Sequence, residues 1–268
     1  MLKRSFALVG LLAMLITTVS PTLSQTVAEK PSSDKKRDEE KLREKAVAFL
    51  RETMSEIDNL RSLENRISFA SELAGLMWYH DENEARGMFA GVITDFRELL
   101  GKFDAQMAAL VPEEEPDLTG GGFLFREVTD KARLTRRFSI AMGVRQQIAT
   151  SIAKHDADLA FAFYFDSLGV VGNPELRKLA ESRDQYFENR LIVQIIEKSP
   201  EKALKFAKRS VENGFDYAHV QTLEKLYAKN PDAAAELGSA ILSQLKREKT
   251  DKVPMWALSS LISFGART

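Results

Sequence analysis

From Leu42 onward the apolar residues of this chain return at intervals of three and four, with no convincing alternation at two, and this restricts the fold more than any other feature. Leu42, Ala46, Phe49, Leu50 and Ile57 form one such stripe. Leu63, Ile67, Ala70, Ala74 and Met77 form the next, followed by Ala85, Met88, Phe89, Val92, Ile93, Phe96, Leu99 and Leu100. Residues so spaced share one face of an α-helix, whereas a half-buried strand needs strict alternation. The spacing resumes at Leu134, Phe138, Ala141, Ile148 and Ile152, and again at Leu176, Leu179, Phe187, Leu191 and Ile195. The one long break, "VPEEEPDLTGGG" at 111–122, has two prolines and three consecutive glycines and predicts an exposed loop. An apolar stripe has to be buried against another element, so the prediction is an all-α layered fold of about ten helices.

Four segments share a finer pattern: "HDENEARGMF", "HDADLAFAFY", "KSPEKALKFA" and "KNPDAAAELG". Their second residues are Asp81, Asp156, Ser199 and Asn230, the side chains that best accept from the unpaired N–H groups of a helix start. Pro200 and Pro231 follow two of them, as suits the first helical position, and Glu84 has the placing of a returning capping-box arm. Four residues after each cap stands an alanine: Ala85, Ala160, Ala203 and Ala234. Seven after stands a larger apolar residue: Met88, Phe163, Phe206 and Leu237. A small residue at a fixed place admits a neighbouring helix and the larger one fills the space beside it. Helix, tight turn, helix is therefore the unit, and units in series predict an irregular stack of helix-turn-helix hairpins, α-solenoid-like. Gly214 is placed to stop a helix, and Pro254 to start the last one, where Trp256 would cover the end of the stack.

The N-terminus reads as an export signal. Lys3 and Arg4 precede the apolar run "FALVGLLAML", and small residues come after it, placing cleavage after Ser24 or, second, after Ala28. Phe6 to Val19 is shorter than the ~20 apolar residues a membrane span needs, and nothing later in the chain is long enough. Residues 1–24 are thus expected to be a signal peptide, 25–37 a disordered tether and 38–268 the helical-repeat domain, exported to the periplasm or secreted. Cysteine is absent, which removes disulfides, thiolate metal sites and a cysteine nucleophile. With 38 basic and 39 acidic residues the chain has no global field to attract nucleic acid.

Chemistry has few places to reside. The His-Asp pairs at 80–81 and 155–156 suggest a metal or acid-base site, but His80 and His155 occupy the position that Lys198 and Lys229 take in the other copies. A protonated lysine cannot ligate a metal, whereas lysine and histidine both suit a helix C-terminus. The pairs therefore read as turn punctuation. His219 has no partner near it in sequence and reads as a helix-surface or partly buried residue. "GGGFLF" lacks the ending of a phosphate loop, and the acidic run 113–117 lacks the alternating ligands of a calcium loop. Lys131, Arg133, Arg136, Arg137 and Arg145 predict a charged helix face, and "FAFYF" at 161–165 a buried helix or a groove wall.

The segment "VQTLEKLYAKNPDAAAELGSAIL" resembles a tetratricopeptide repeat but lacks that family's Trp, Leu-Gly and Tyr signature in the first helix. The resemblance implies a manner of stacking and no ligand. The overall pattern is similar to uncharacterised exported helical proteins of Gram-negative bacteria, which implies no activity. These features point to a scaffold for a protein or peptide partner, without cofactor or catalysis, with Trp78, Tyr79, His80, His155, Tyr164, Arg133, Arg136 and Arg137 as contact residues. The alternative is a metal-dependent phosphohydrolase. The HD superfamily is all-α and holds metal ions with a histidine, a His-Asp dyad and a later aspartate, roles that the resemblance would give to His80, His155, Asp156 and Asp184.

Overall fold

The computed structural model describes residues 33–110, 130–184, 186–247 and 254–267. The expected signal peptide and the expected loop at 111–122 lie outside the described residues. Those described form eleven α-helices and one 3-10 turn, with no strand among them. The helices are α1 (Ser33–Ile57), α2 (Leu63–Met77), α3 (Glu82–Ala108), α4 (Asp130–Ala153), α5 (Ala157–Asp166), α6 (Pro174–Asp184), α7 (Phe187–Ile196), α8 (Pro200–Glu212), α9 (Tyr217–Lys229), α10 (Pro231–Arg247) and α11 (Met255–Gly265); the 3-10 turn is Ser167–Val170. Helix α1 begins at Ser33, so residues 33–37, expected to be tether, are helical. The chain divides into two compact units, Met1–Leu42 and Arg43–Thr268, and the hairpins all belong to the second.

Within it, the predicted hairpins are α2–α3, α4–α5, α7–α8 and α9–α10, each pair in extensive contact. Their first helices pack in chain order, α2 on α4, α4 on α7, α7 on α9, and α9 on α11, making one layer. The second helices make the other. Phe96 of α3 meets Phe163 of α5 edge-on at 5.7 Å, Phe161 of α5 stacks on Phe206 of α8, and α8 packs on α10. Helix α6 follows the α4–α5 hairpin in the chain and packs on both α4 and α7, and its insertion lengthens that interval of the repeat.

The four turns use the same backbone hydrogen bonds. The cap residue's N–H reaches the carbonyl four residues back in each: Asp81 to Met77, Asp156 to Ile152, Ser199 to Ile195 and Asn230 to Leu226. The cap carbonyl then accepts from the alanine N–H: Ala85, Ala160, Ala203 and Ala234, at 3.0 to 3.1 Å. One residue thus closes the first helix and opens the second, and all four alanines are buried. The side chains differ. Asp81 Oδ1 accepts from Glu84 N–H, Asp156 Oδ1 from Leu159 N–H and Asn230 Oδ1 from Ala233 N–H. Ser199 makes no such bond, so its capping role is confined to the backbone. Glu84 does not return to Asp81 as a capping box requires; its carboxylate forms a two-pronged pair with Arg51 of α1 at 2.7 and 2.8 Å. The capping box lies instead at α9, between Asp216 and His219. Gly214 closes α8 with φ of 132°, a conformation costly for any residue with a Cβ.

Candidate functional site

The two His-Asp turns meet in space. The His155 imidazole stacks on Trp78 with centroids 5.1 Å apart, and Tyr79 approaches the same ring edge-on at 5.0 Å. The Arg86 guanidinium lies 4.6 Å from the Trp78 centroid and forms ion pairs with Asp156 at 2.8 Å and Glu82 at 3.0 Å. Burial opposes ionisation of Asp156, but the Leu159 N–H and Arg86 outweigh it and hold the carboxyl below its ordinary range. His155 shifts downward, first through burial and then through the positive charges of Lys198 and Lys154, against the opposing Gly75 carbonyl. His80 enters through its backbone, its N–H bound to Met77 O at 2.8 Å and its carbonyl accepting from Arg43.

This arrangement suits the HD assignment poorly. One oxygen of Asp156 caps a helix and the other holds Arg86, while two lysines sit near His155 where a second cation would be repelled. Among the described residues no group of three or more His, Cys, Asp or Glu side chains is placed to hold a metal ion. Asp184 lies elsewhere, bound to Arg145.

The predicted basic face is only partly a free surface. Arg137 pairs with the buried Glu64 at 2.9 Å and lies over Phe103, Lys131 pairs with Glu175, and Arg133 lies 3.7 Å from Asp130. Arg136 is exposed. Arg145, expected on that face, is 2% exposed and reaches Ser167 Oγ at 2.7 Å, Asp184 and the Tyr164 carbonyl, with Tyr164 under its guanidinium at 4.4 Å. A guanidinium can be buried here because each of its nitrogens has an acceptor. Tyr164, expected as a contact residue, is buried too, and burial pushes its phenol well above the ordinary range. The "FAFYF" helix is accordingly core: Phe161, Phe163 and Tyr164 are buried and Phe165 half-buried.

Beside this ion pair is a cavity of about 350 Å³, lined from α4 to α9 by Arg145, Tyr164, Phe165, Glu181, Asp184, Glu188, Asn189, Ser210, Asp216 and His219 among others. Glu188 Oε1 is buried without a hydrogen-bond partner. Burial raises the Glu188 pKa, with the Asp184 charge acting the same way; a Ser210 hydrogen bond and the charges of His219 and Arg209 oppose them. His219 is buried, against the expectation of a surface or partly buried residue. Its Nδ1 accepts from Asp216 N–H at 3.0 Å, its Nε2 lies 3.1 Å from Ser210 Oγ, and Nδ1 is 2.8 Å from Asp216 Oδ1.

Ser210, His219 and Asp216 thus touch in the order of a nucleophile, base and orienting acid. Nδ1 lies within reach of both the Asp216 N–H at 3.0 Å and the Asp216 carboxylate at 2.8 Å, contacts that belong to the capping box opening α9. The trio fixes the start of α9.

Both groups of residues give off faint sequence signals. Arg145 continues the α4 stripe of Phe138, Ala141, Ile148 and Ile152, and Glu188 falls one turn before Leu191 and Ile192. A charge on a core stripe marks a buried polar group, although only the fold supplies its partners. Among the described residues no helix is long and apolar enough to cross a membrane. Comparison with protein-family models, with curated proteins and with solved structures found no match.

Proposed function

We propose that the exported chain is a non-catalytic helical-repeat scaffold that binds a protein or peptide partner on the exposed face of α2 and α4. The observation that supports it is a row of large apolar side chains left in solvent where the spacing alone would allow polar ones. Phe69, Leu76 and Tyr79 lie on one face of α2 and its end, 54%, 52% and 70% exposed, and Ile140 of α4 is 55% exposed. Gln147 of α4 bonds Ser68 at 2.8 Å and Glu72 at 3.1 Å, which ties the two helix faces side by side. Arg136 and Arg133 lie one and two turns before Ile140 and add positive charge to the same helix face. Large apolar side chains exposed along a helix face flanked by charge mark a contact site, and packed helix pairs present such faces without rearrangement.

The test is capture from envelope extracts by mature protein carrying a photocrosslinker at Gly143 of α4, where an added side chain meets open space. Wild type should yield a discrete adduct that is lost in the Phe69→Ser, Leu76→Ser, Ile140→Ser variant carrying the same crosslinker, whose circular dichroism and melting should match wild type. An adduct of equal yield in both proteins, or none in either, would count against the assignment.

A further inference from the structure

Helix α11 is apolar on the face it buries and on the face it leaves in water. Met255–Gly265 contains no charged residue. Ala257, Leu261 and Phe264, spaced by four and three, turn inward: Ala257 is buried, the other two pack against the core, and the helix rests on α9. The opposite face carries Met255, Trp256 and Ile262, 69%, 60% and 65% exposed, with the exposed Ser259 and Ser263 among them. Trp256 is held against Tyr217 of α9 with centroids 5.3 Å apart, and Tyr217 is itself exposed, so the apolar surface runs on to α9. A surface helix ordinarily turns charged residues to water, and a stacked array ends on a polar face.

Charge, register and area together select a second copy of this chain as the occupant. In a two-fold contact each residue lies near its own duplicate, so a charged face repels itself and an uncharged one does not. Arg267, the charge that follows the helix, is already paired with Glu224 at 2.7 Å. Ser259 stands at the middle of the outward stripe, four residues after Met255 and three before Ile262. Two antiparallel copies crossing there set Met255 of each against Ile262 of the other, and the small serines let the axes approach to the ~8–10 Å of packed helices. Met255, Trp256 and Ile262 expose on the order of 150 Å² each, or roughly 900 Å² from both copies. Leu258, Ser259, Ser263 and Tyr217 around them bring the total to about the 1,200 Å² at which specific interfaces begin. A lipid surface fits less well, because helices that lie on membranes carry basic residues and α11 has none.

We infer that α11 is the interface of a symmetric dimer, crossed antiparallel at Ser259 by the α11 of a second copy. The layer formed by α2, α4, α7, α9 and α11 then continues across the two-fold axis into its duplicate, with α2 at the far end. The dimer is independent of the α2–α4 contact face, and either assignment can fail without the other.

Sedimentation equilibrium of the mature protein from about 1 to 200 µM is the test, since interfaces near the lower size limit bind in the micromolar range. The wild-type mass should rise with concentration from one chain to two and no further. Ser259→Arg sets like charges against each other on the axis, and Ser259→Asp does so with the opposite sign. Ser259 is exposed, so both variants should melt as dilute wild type does. Each alone should weaken the dimer at least tenfold, and a one-to-one mixture of the two should restore it, which a merely disturbed surface would not do. If either variant does not fold, Ile262→Ser decides, with a tenfold weakening expected. A wild type of one-chain mass throughout, a dimer undiminished by the deciding variant, or a mixture no better than its components overturns the assignment. So does a monomeric wild type that sediments with phosphatidylcholine vesicles, which would give the face to lipid.

Discussion

Replacing Arg145 by methionine tests the account of the core most severely. Methionine follows the path of the arginine stem and removes only the guanidinium, so the loss reports on polar contacts. Three acceptors lose the guanidinium: Ser167 Oγ, the Tyr164 carbonyl, which keeps a long bond from Ser167 Oγ at 3.4 Å, and Asp184, whose side chain is 12% exposed. Asp184 keeps a long bond from Gln146 at 3.3 Å and otherwise becomes a nearly buried anion beside Glu188. Breaking a buried pair from one side costs about 3–5 kcal/mol, because the remaining charge is uncompensated. For a domain of this size that corresponds to a fall in the melting midpoint on the order of 10 °C. The assay is thermal and urea unfolding of Arg145→Met, Asp184→Asn and the double variant. The double variant should recover much of the Arg145→Met loss, since the stranded charge is gone. If Arg145→Met costs less than about 1 kcal/mol, or if Asp184→Asn does not rescue it, the pair does not hold α4 to α6 as described.

The turns make two further outcomes testable. Asp156→Ala removes a helix cap and leaves Arg86 short of a partner, so it should cost at least the ~1 kcal/mol of an ordinary cap, whereas Ser199→Ala, where the hydroxyl caps nothing, should fall within about 0.5 kcal/mol of wild type by urea unfolding. His155 has a folded pKa below its ordinary 6.5, so the unfolded chain binds the proton first and stability is lost as pH falls through that value. His155→Phe, which keeps a ring against Trp78, should flatten the decline in melting midpoint from neutral to mildly acidic pH; an unchanged slope would show that the imidazole is not the group responsible.

Much of the architecture is legible in the sequence because its causes are local. The cap, the alanine four residues on and the larger apolar residue seven on can be read along a single stretch of chain, and the backbone bonds of all four turns agree with that reading. The candidate site is less legible for the opposite reason. Arg145 and Tyr164 look in sequence like surface or contact residues, since a basic helix run and an aromatic cluster have the same pattern whether they face water or protein. His219 shows the same limit: a lone histidine gives no sign that its ring closes a capping box with Asp216 and reaches back to Ser210.

The sequence by itself determined the helical class, the hairpin unit, the position of the four hairpin turns and the absence of any thiol chemistry, because periodicity, capping and composition act over a few residues. Only the tertiary structure decided what the charged residues do. It joined the two His-Asp turns through Trp78, His155 and Arg86, buried Arg145 against Asp184, and left one oxygen of Glu188 unpartnered beside a cavity. Those outcomes depend on which helices become neighbours, and a charge is either satisfied or stranded according to partners dozens of residues away.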